Sequence, residues 1–203
     1  RGGGGGGDGG VGGGRGDDTR AGGYGPKWGG AWYNRGAVRH DKGDLAGAIA
    51  DYTRALENDP KFTVAWNNRG KARHANGDIA GAIADFTRAL ELDPEYEKAL
   101  TNRGSLLKFK GDLDGAIADY TRALDIAPEN GITWYNRGAV RHDKGDLAGA
   151  IADYTRALEI DPKFVKAWNN RGNARHTGGD LDGAISDYTR AIEIHPKFVF
   201  ALF

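Results

Sequence analysis

From residue 29 onward the chain repeats itself every 34 residues, and a period of that length confines it to architectures that stack copies of one small unit. Five copies span 29–62, 63–96, 97–130, 131–164 and 165–198, and residues 199–203 open a sixth. Each copy reaches Pro at its 32nd position: Pro60, Pro94, Pro128, Pro162 and Pro196. The spacing inside a copy predicts two helices. The first is expected from about the third residue to a Gly at position 15 (Gly43, Gly77, Gly111, Gly145, Gly179), where a left-handed residue ends a helix. Asp always follows (Asp44, Asp78, Asp112, Asp146, Asp180) and suits the N-cap of the second helix. In the first copy that helix carries Leu45, Ala48, Ile49, Tyr52, Ala55 and Leu56 at the spacing of one buried face, and Pro60 stops it. Small residues at positions 8 and 20, Gly36 and Ala48 in the first copy, let the two helices approach closely. One helix pair cannot bury its own stripe, so the copies must stack into an all-α solenoid.

The 28 residues before the array differ in kind. Half of the 34 Gly fall within residues 1–30, and almost nothing apolar accompanies them, so residues 1–28 are expected to be a Gly-rich, low-complexity flexible tail or linker. Gly2–Gly7 lacks the flanking strand, helix and Lys of a phosphate loop, and Arg15-Gly16-Asp17 is a tripeptide that a Gly/Asp/Arg-biased tract forms readily. Only Arg1-Gly2-Gly3 fits an RNA-binding Arg-Gly-Gly pattern. The whole chain balances 28 Lys+Arg against 28 Asp+Glu, which argues against a nucleic-acid or anionic-membrane surface. No apolar run approaches the roughly 20 residues of a membrane span. With no Cys there is no disulfide framework, thiol nucleophile or Cys-ligated metal.

The repeated residues resemble those of the tetratricopeptide-repeat (TPR) family over residues 29–203. They are Trp at position 4 (Trp32, Trp66, Trp134, Trp168, with Leu100 in the third copy), Gly at 8, Ala at 20, Tyr or Phe at 24, Ala at 27 and Pro at 32. The resemblance implies a right-handed superhelical solenoid of αα-hairpins whose first helices line a concave groove for a partner peptide. Two positions depart from the family. Arg stands at position 7 in every copy (Arg35, Arg69, Arg103, Arg137, Arg171) and at position 11 in four, with Leu107 as the exception. An unpaired buried charge is costly, so each position-7 Arg is expected to meet the invariant Asp of position 23 (Asp51, Asp85, Asp119, Asp153, Asp187), in its own or a neighbouring repeat. The alternative is that the guanidinium heads reach out to solvent.

The family's groove positions are 2, 5, 6, 9, 12 and 13. Position 6 is a row of amides: Asn34, Asn68, Asn102, Asn136 and Asn170. Such a row can clamp a peptide backbone with donors and acceptors, or else bond to the solenoid itself. Position 5 adds Tyr33, Asn67, Tyr135 and Asn169, position 9 adds Lys71 and Asn173, and position 2 adds Lys98 and Lys166. Position 12 holds His40, His74, Lys108, His142 and His176. That ladder lacks a second ligand per repeat, and helices about 8–10 Å apart would need long reaches to share an ion. No metal or cofactor is therefore expected. The set also departs from the carboxylate clamp used by one TPR subclass for chaperone tails, because no Arg occupies position 6.

Catalysis has no foothold, since a nucleophile with its base should occur once and these Asp recur with the repeat. The expectation is a non-enzymatic scaffold for a protein or peptide partner. The contrasting expectation is a self-associating rod or filament, in which the partners are further copies of the chain. Trp32–Phe62 and Trp134–Phe164 differ only at Asn58 against Ile160, which points to duplication of a three-repeat block. The small residues Ala46, Gly47 and Ala50 on the outer face of the second helix fit either a biased composition or a face against which another chain lies. The apolar segment Phe198–Phe203 is expected to belong to a longer array and to promote head-to-tail association. The compartment is undecided: balanced charge leans to cytoplasm, and secretion or a periplasmic location stays open because the chain starts without Met.

Overall fold

The computed structural model describes residues 29–196. The expectations for the Gly-rich residues 1–28 and for Phe198–Phe203 lie outside the described residues. Ten helices follow one another: α1 (Gly29–Asp41), α2 (Leu45–Asn58), α3 (Thr63–Ala75), α4 (Ile79–Leu92), α5 (Glu97–Phe109), α6 (Leu113–Ile126), α7 (Gly131–Asp143), α8 (Leu147–Ile160), α9 (Val165–Thr177) and α10 (Leu181–Ile194). Among the described residues the architecture is an all-α solenoid. Each helix packs on the next, and every odd-numbered helix also meets the following odd-numbered one, so these line an inner layer.

The odd-numbered helices start two residues earlier than the spacing predicts. The residue before α3, α5, α7 and α9 supplies acceptors for the first turn. The Phe62 carbonyl takes the N–H of Ala65 and of Trp66, and the Asn130 side chain takes the N–H of Thr133 at 3.1 Å. At the other end the five position-15 glycines have φ between +80° and +86°, the left-handed geometry that ends a helix. The following Asp then opens the second helix. Asp44 Oδ1 accepts from Gly47 N at 2.9 Å, and the other four Asp repeat the bond. A Cβ on Gly47 would stand 2.2 Å from the Asp44 carboxylate. The small residue there therefore has a local cause, which is room for the cap.

No repeat closes a core alone. Ala48 and Tyr52 of the first pair bury Ala72 of the second, and the same arrangement recurs in Ala82, Phe86 and Leu106, in Ala116, Tyr120 and Val140, and in Ala150, Tyr154 and Ala174. Charge joins the repeats as well. Arg69 donates twice to Asp85 of its own repeat (2.9 and 2.7 Å) and a third time to Thr53 of the preceding one (3.0 Å). Its guanidinium lies 4.6 Å over the Trp66 ring, whose indole N–H is held by the Pro60 carbonyl. Arg103, Arg137 and Arg171 make the same bonds to Asp119, Asp153 and Asp187 and to Thr87, Thr121 and Thr155. Arg35 pairs with Asp51. The expected pair thus forms within each repeat, and the heads of Arg69, Arg137 and Arg171 are buried rather than solvated. The position-11 arginines join the same carboxylates: Arg39, Arg73, Arg141 and Arg175 approach Asp51, Asp85, Asp153 and Asp187 within 3.0 Å.

Candidate binding groove

The inner layer of odd-numbered helices forms a depression of about 460 Å³ where α1, α3 and α5 come together. Of the residues singled out by sequence, Tyr33, Asn67, Asn68, Lys71, Lys98 and Asn102 line it. A smaller recess of about 90 Å³ adjoins it, lined by Ala37, His40, Asp41 and Tyr52 and sharing Asn68 and Lys71. Lys71 and Lys98 make no ion pair among the described residues, so two ammonium groups face the depression without a salt bridge.

The amides hold one another in place. Asn68 donates to the Tyr33 hydroxyl at 2.9 Å, Asn102 donates to Asn67 at 3.0 Å, and Asn67 donates to Asn68 at 3.2 Å. Asn68 and Asn102 of the position-6 row therefore bond to position-5 side chains of the preceding repeat, not to the solenoid backbone. Asn67 is buried and serves mainly to orient its two neighbours. An amide offers two N–H donors and a carbonyl with two lone pairs, so the partly exposed Asn68 and Asn102 retain capacity for a ligand. The rigid network fixes the direction in which that capacity points. Burial, with Tyr33 and Asp41 nearby, pushes the Tyr52 phenol up to about 12, so it lines the smaller recess as a neutral hydroxyl.

The same geometry recurs three repeats later, where Asn170 donates to Tyr135 at 3.0 Å. Tyr33 and Tyr135 each lie 4.8 Å from the Phe ring that ends their repeat, Phe62 and Phe164. Burial raises the Tyr135 phenol above its ordinary value, and the Asn170 bond offsets part of that rise. Other members of the sequence-based set stand outside the two depressions. Lys108 is neutralised by Asp143 at 3.0 Å, and Asn173 accepts from the Tyr188 hydroxyl at 2.7 Å. His142 has its Nε2 buried without a hydrogen-bond partner. Asn34, His74, Asn136, Lys166, Asn169 and His176 line neither depression.

Sequence reasoning found only part of the wall. Tyr96, Glu97, Thr101 and Asn130 line the larger depression with the residues above. Glu97 Oε1 accepts from Thr101 at 3.1 Å and from Asn130 at 2.9 Å, so this carboxylate is tied back into the scaffold. The available signal was that Thr101 and Asn130 break the pattern set by the other copies.

Models of the tetratricopeptide repeat match residues 21–62, 41–97 and 165–198, and a model of the TPR repeat matches 107–145 and 138–178. No curated protein sequence is significantly similar to the chain. Among solved structures, the crystal structure of MamA is 27% identical, with a TM-score of 0.77 over 81% of this chain and 96% of that one. MamA from Desulfovibrio magneticus RS-1, from residue 41 to its end, is 18% identical with a TM-score of 0.79, covering 84% and 96%. YrrB, described as a TPR protein with an unusual peptide-binding site, is 22% identical with a TM-score of 0.75, covering 84% and 88%. At these last two identities the likeness is one of fold.

Proposed function

Because this chain belongs to the tetratricopeptide-repeat family and is a protein-interaction scaffold, we propose that the inner layer of α1, α3 and α5 holds an extended partner peptide bearing acidic side chains. The observation that carries this reading is the 460 Å³ depression with Lys71 and Lys98 on its walls, neither in an ion pair, while the carboxylate that lines it, Glu97, is bonded to Thr101 and Asn130. Asn68 and Asn102 supply backbone contacts, since a peptide unit needs one acceptor and one donor and an amide provides both. The Lys ammonium groups select for negative charge and speed encounter. YrrB's peptide-binding site is a property of that protein; the support here comes from the side chains of this groove.

An array of short peptides varying in acidic content, probed with the full chain, tests the proposal. Acidic peptides are expected to bind, and the double variant Lys71→Glu/Lys98→Glu to lose at least about tenfold in affinity. Binding that is indifferent to peptide charge, or unchanged in the double variant, would place recognition elsewhere.

A further inference from the structure

The solenoid has two unlike ends, and their surfaces are complementary. In every internal junction the second helix of one repeat covers the first helix of the next. Among the described residues α1 has no such neighbour. Val38 is 54% exposed, whereas its counterpart Val140 is fully buried beside Ala116 and Tyr120 of α6. Ala31 is likewise exposed, and its counterparts Ala65, Ala99 and Ala167 are buried. The opposite face is open on α10. Leu181 and Ile185 are 56% and 63% exposed, and Ile192 is 45% exposed where Leu124 in α6 is 4%.

The junction that would close these faces already exists inside the chain. α10 differs from α6 only at Ser186, Ile192 and Glu193, where α6 has Ala118, Leu124 and Asp125. α1 differs from α7 only at Gly30 and Ala31, where α7 has Ile132 and Thr133. The α6–α7 junction is thus a near-identical template for an α10–α1 contact. Its apolar contacts would pass over with Ile for Leu at one site and with Ala31, the residue that most internal junctions use.

We propose that the open face of α10 takes α1 of a second copy of this chain, extending the solenoid from one molecule to the next. The groove of odd-numbered helices then runs on across the joint. Such a contact is heterologous and does not close on itself, so it propagates into arrays whose length depends on concentration. The inference is independent of the groove's ligand, because it concerns the ends of the stack rather than its inner layer.

Two complementary blocks test it on the full 203-residue chain. Val38→Asp closes the α1 face and Ile185→Asp the α10 face, both at exposed sites, with far-ultraviolet circular dichroism confirming the fold. Should Ile185→Asp change the helix content, Leu181→Asp replaces it. By sedimentation velocity the unaltered chain should grow in mass with concentration, and each variant alone should remain at 21.7 kDa. An equimolar mixture of the two should form a dimer and stop there, since each molecule keeps one open face. An unaltered chain that stays monomeric, variants that associate as it does, or a mixture that stays monomeric would overturn the proposal. A monomer that associates only after Val199–Phe203 is removed would also overturn it, by showing that the chain's own end covers α10.

Discussion

The position-23 carboxylates are the most demanding single residues of the fold. Asp85 is buried and receives Arg69 through two bonds and Arg73 at 3.0 Å. Asp85→Ala would leave the buried Arg69 without its counter-charge, a change that costs about 3–5 kcal/mol. Asp51→Ala should cost less, because Arg35 is half-exposed and water can take over its solvation. Urea denaturation of the two variants checks the order, and equal losses would show that burial of the Arg head is not what matters. The tyrosines set a limit at alkaline pH. An unfolded phenol ionises near 10, and Tyr52 is held up to about 12. This group's contribution is complete below pH 10 and lost as the pH rises towards 12. The difference in 295 nm absorbance between the chain and its Tyr52→Phe variant should therefore show this phenolate delayed beyond pH 10, with helix loss accompanying it. A difference signal that appears near pH 10 with the helices intact would contradict this. The Arg-to-Asp pair was legible in the sequence, because both residues recur in all five copies with opposite charge. Neither the second Arg, which joins the same carboxylate from within its own repeat, nor the Thr of the preceding repeat was, and the Thr contact depends on how one repeat rotates onto the next.

At the scale of the element, each repeat is punctuated by Gly, Asp and Pro, and these signals are local enough to be read directly. Gly77 has φ +86°, so Gly77→Ala should cost about 1–2 kcal/mol although no atom lies within 4 Å of the added methyl. Asp78→Ala removes the bond to Gly81 N and should cost about 1 kcal/mol. Thermal melts check both, and a neutral Gly77→Ala would contradict a positive-φ requirement. The start of the first helix was read two residues late because its first turn is capped by backbone carbonyls, such as that of Phe62, which carry no side-chain signature. The groove was legible in part for a similar reason. Position numbers placed Asn68, Lys71, Lys98 and Asn102 on the inner face, whereas Tyr96 and Asn130 reach it from the residue that ends a repeat.

For the whole molecule, stability is shared between neighbours, because each core cluster draws on two repeats. The helices α5 and α6 have neighbours on both sides, whereas the described ends of the stack have one. Amide hydrogen exchange should therefore be slowest in α5 and α6 and fastest in α1 and α10. Uniform protection would indicate that the ends are covered, and a self-associated sample should show that uniformity only at high concentration. The inner layer ties this architecture to the proposed function, since a rigid stack presents Asn68, Asn102, Lys71 and Lys98 in fixed register along one face. The most direct measurement is a nuclear magnetic resonance titration of the isotopically labelled full chain with an acidic peptide selected on the array. Shifts should concentrate on the side-chain amides of Asn68 and Asn102 and on the backbone of α3 and α5, leaving α2, α4 and α6 unmoved. Shifts confined to the even-numbered helices, or absent from α3 and α5 at saturation, would contradict a scaffold that binds through its inner groove.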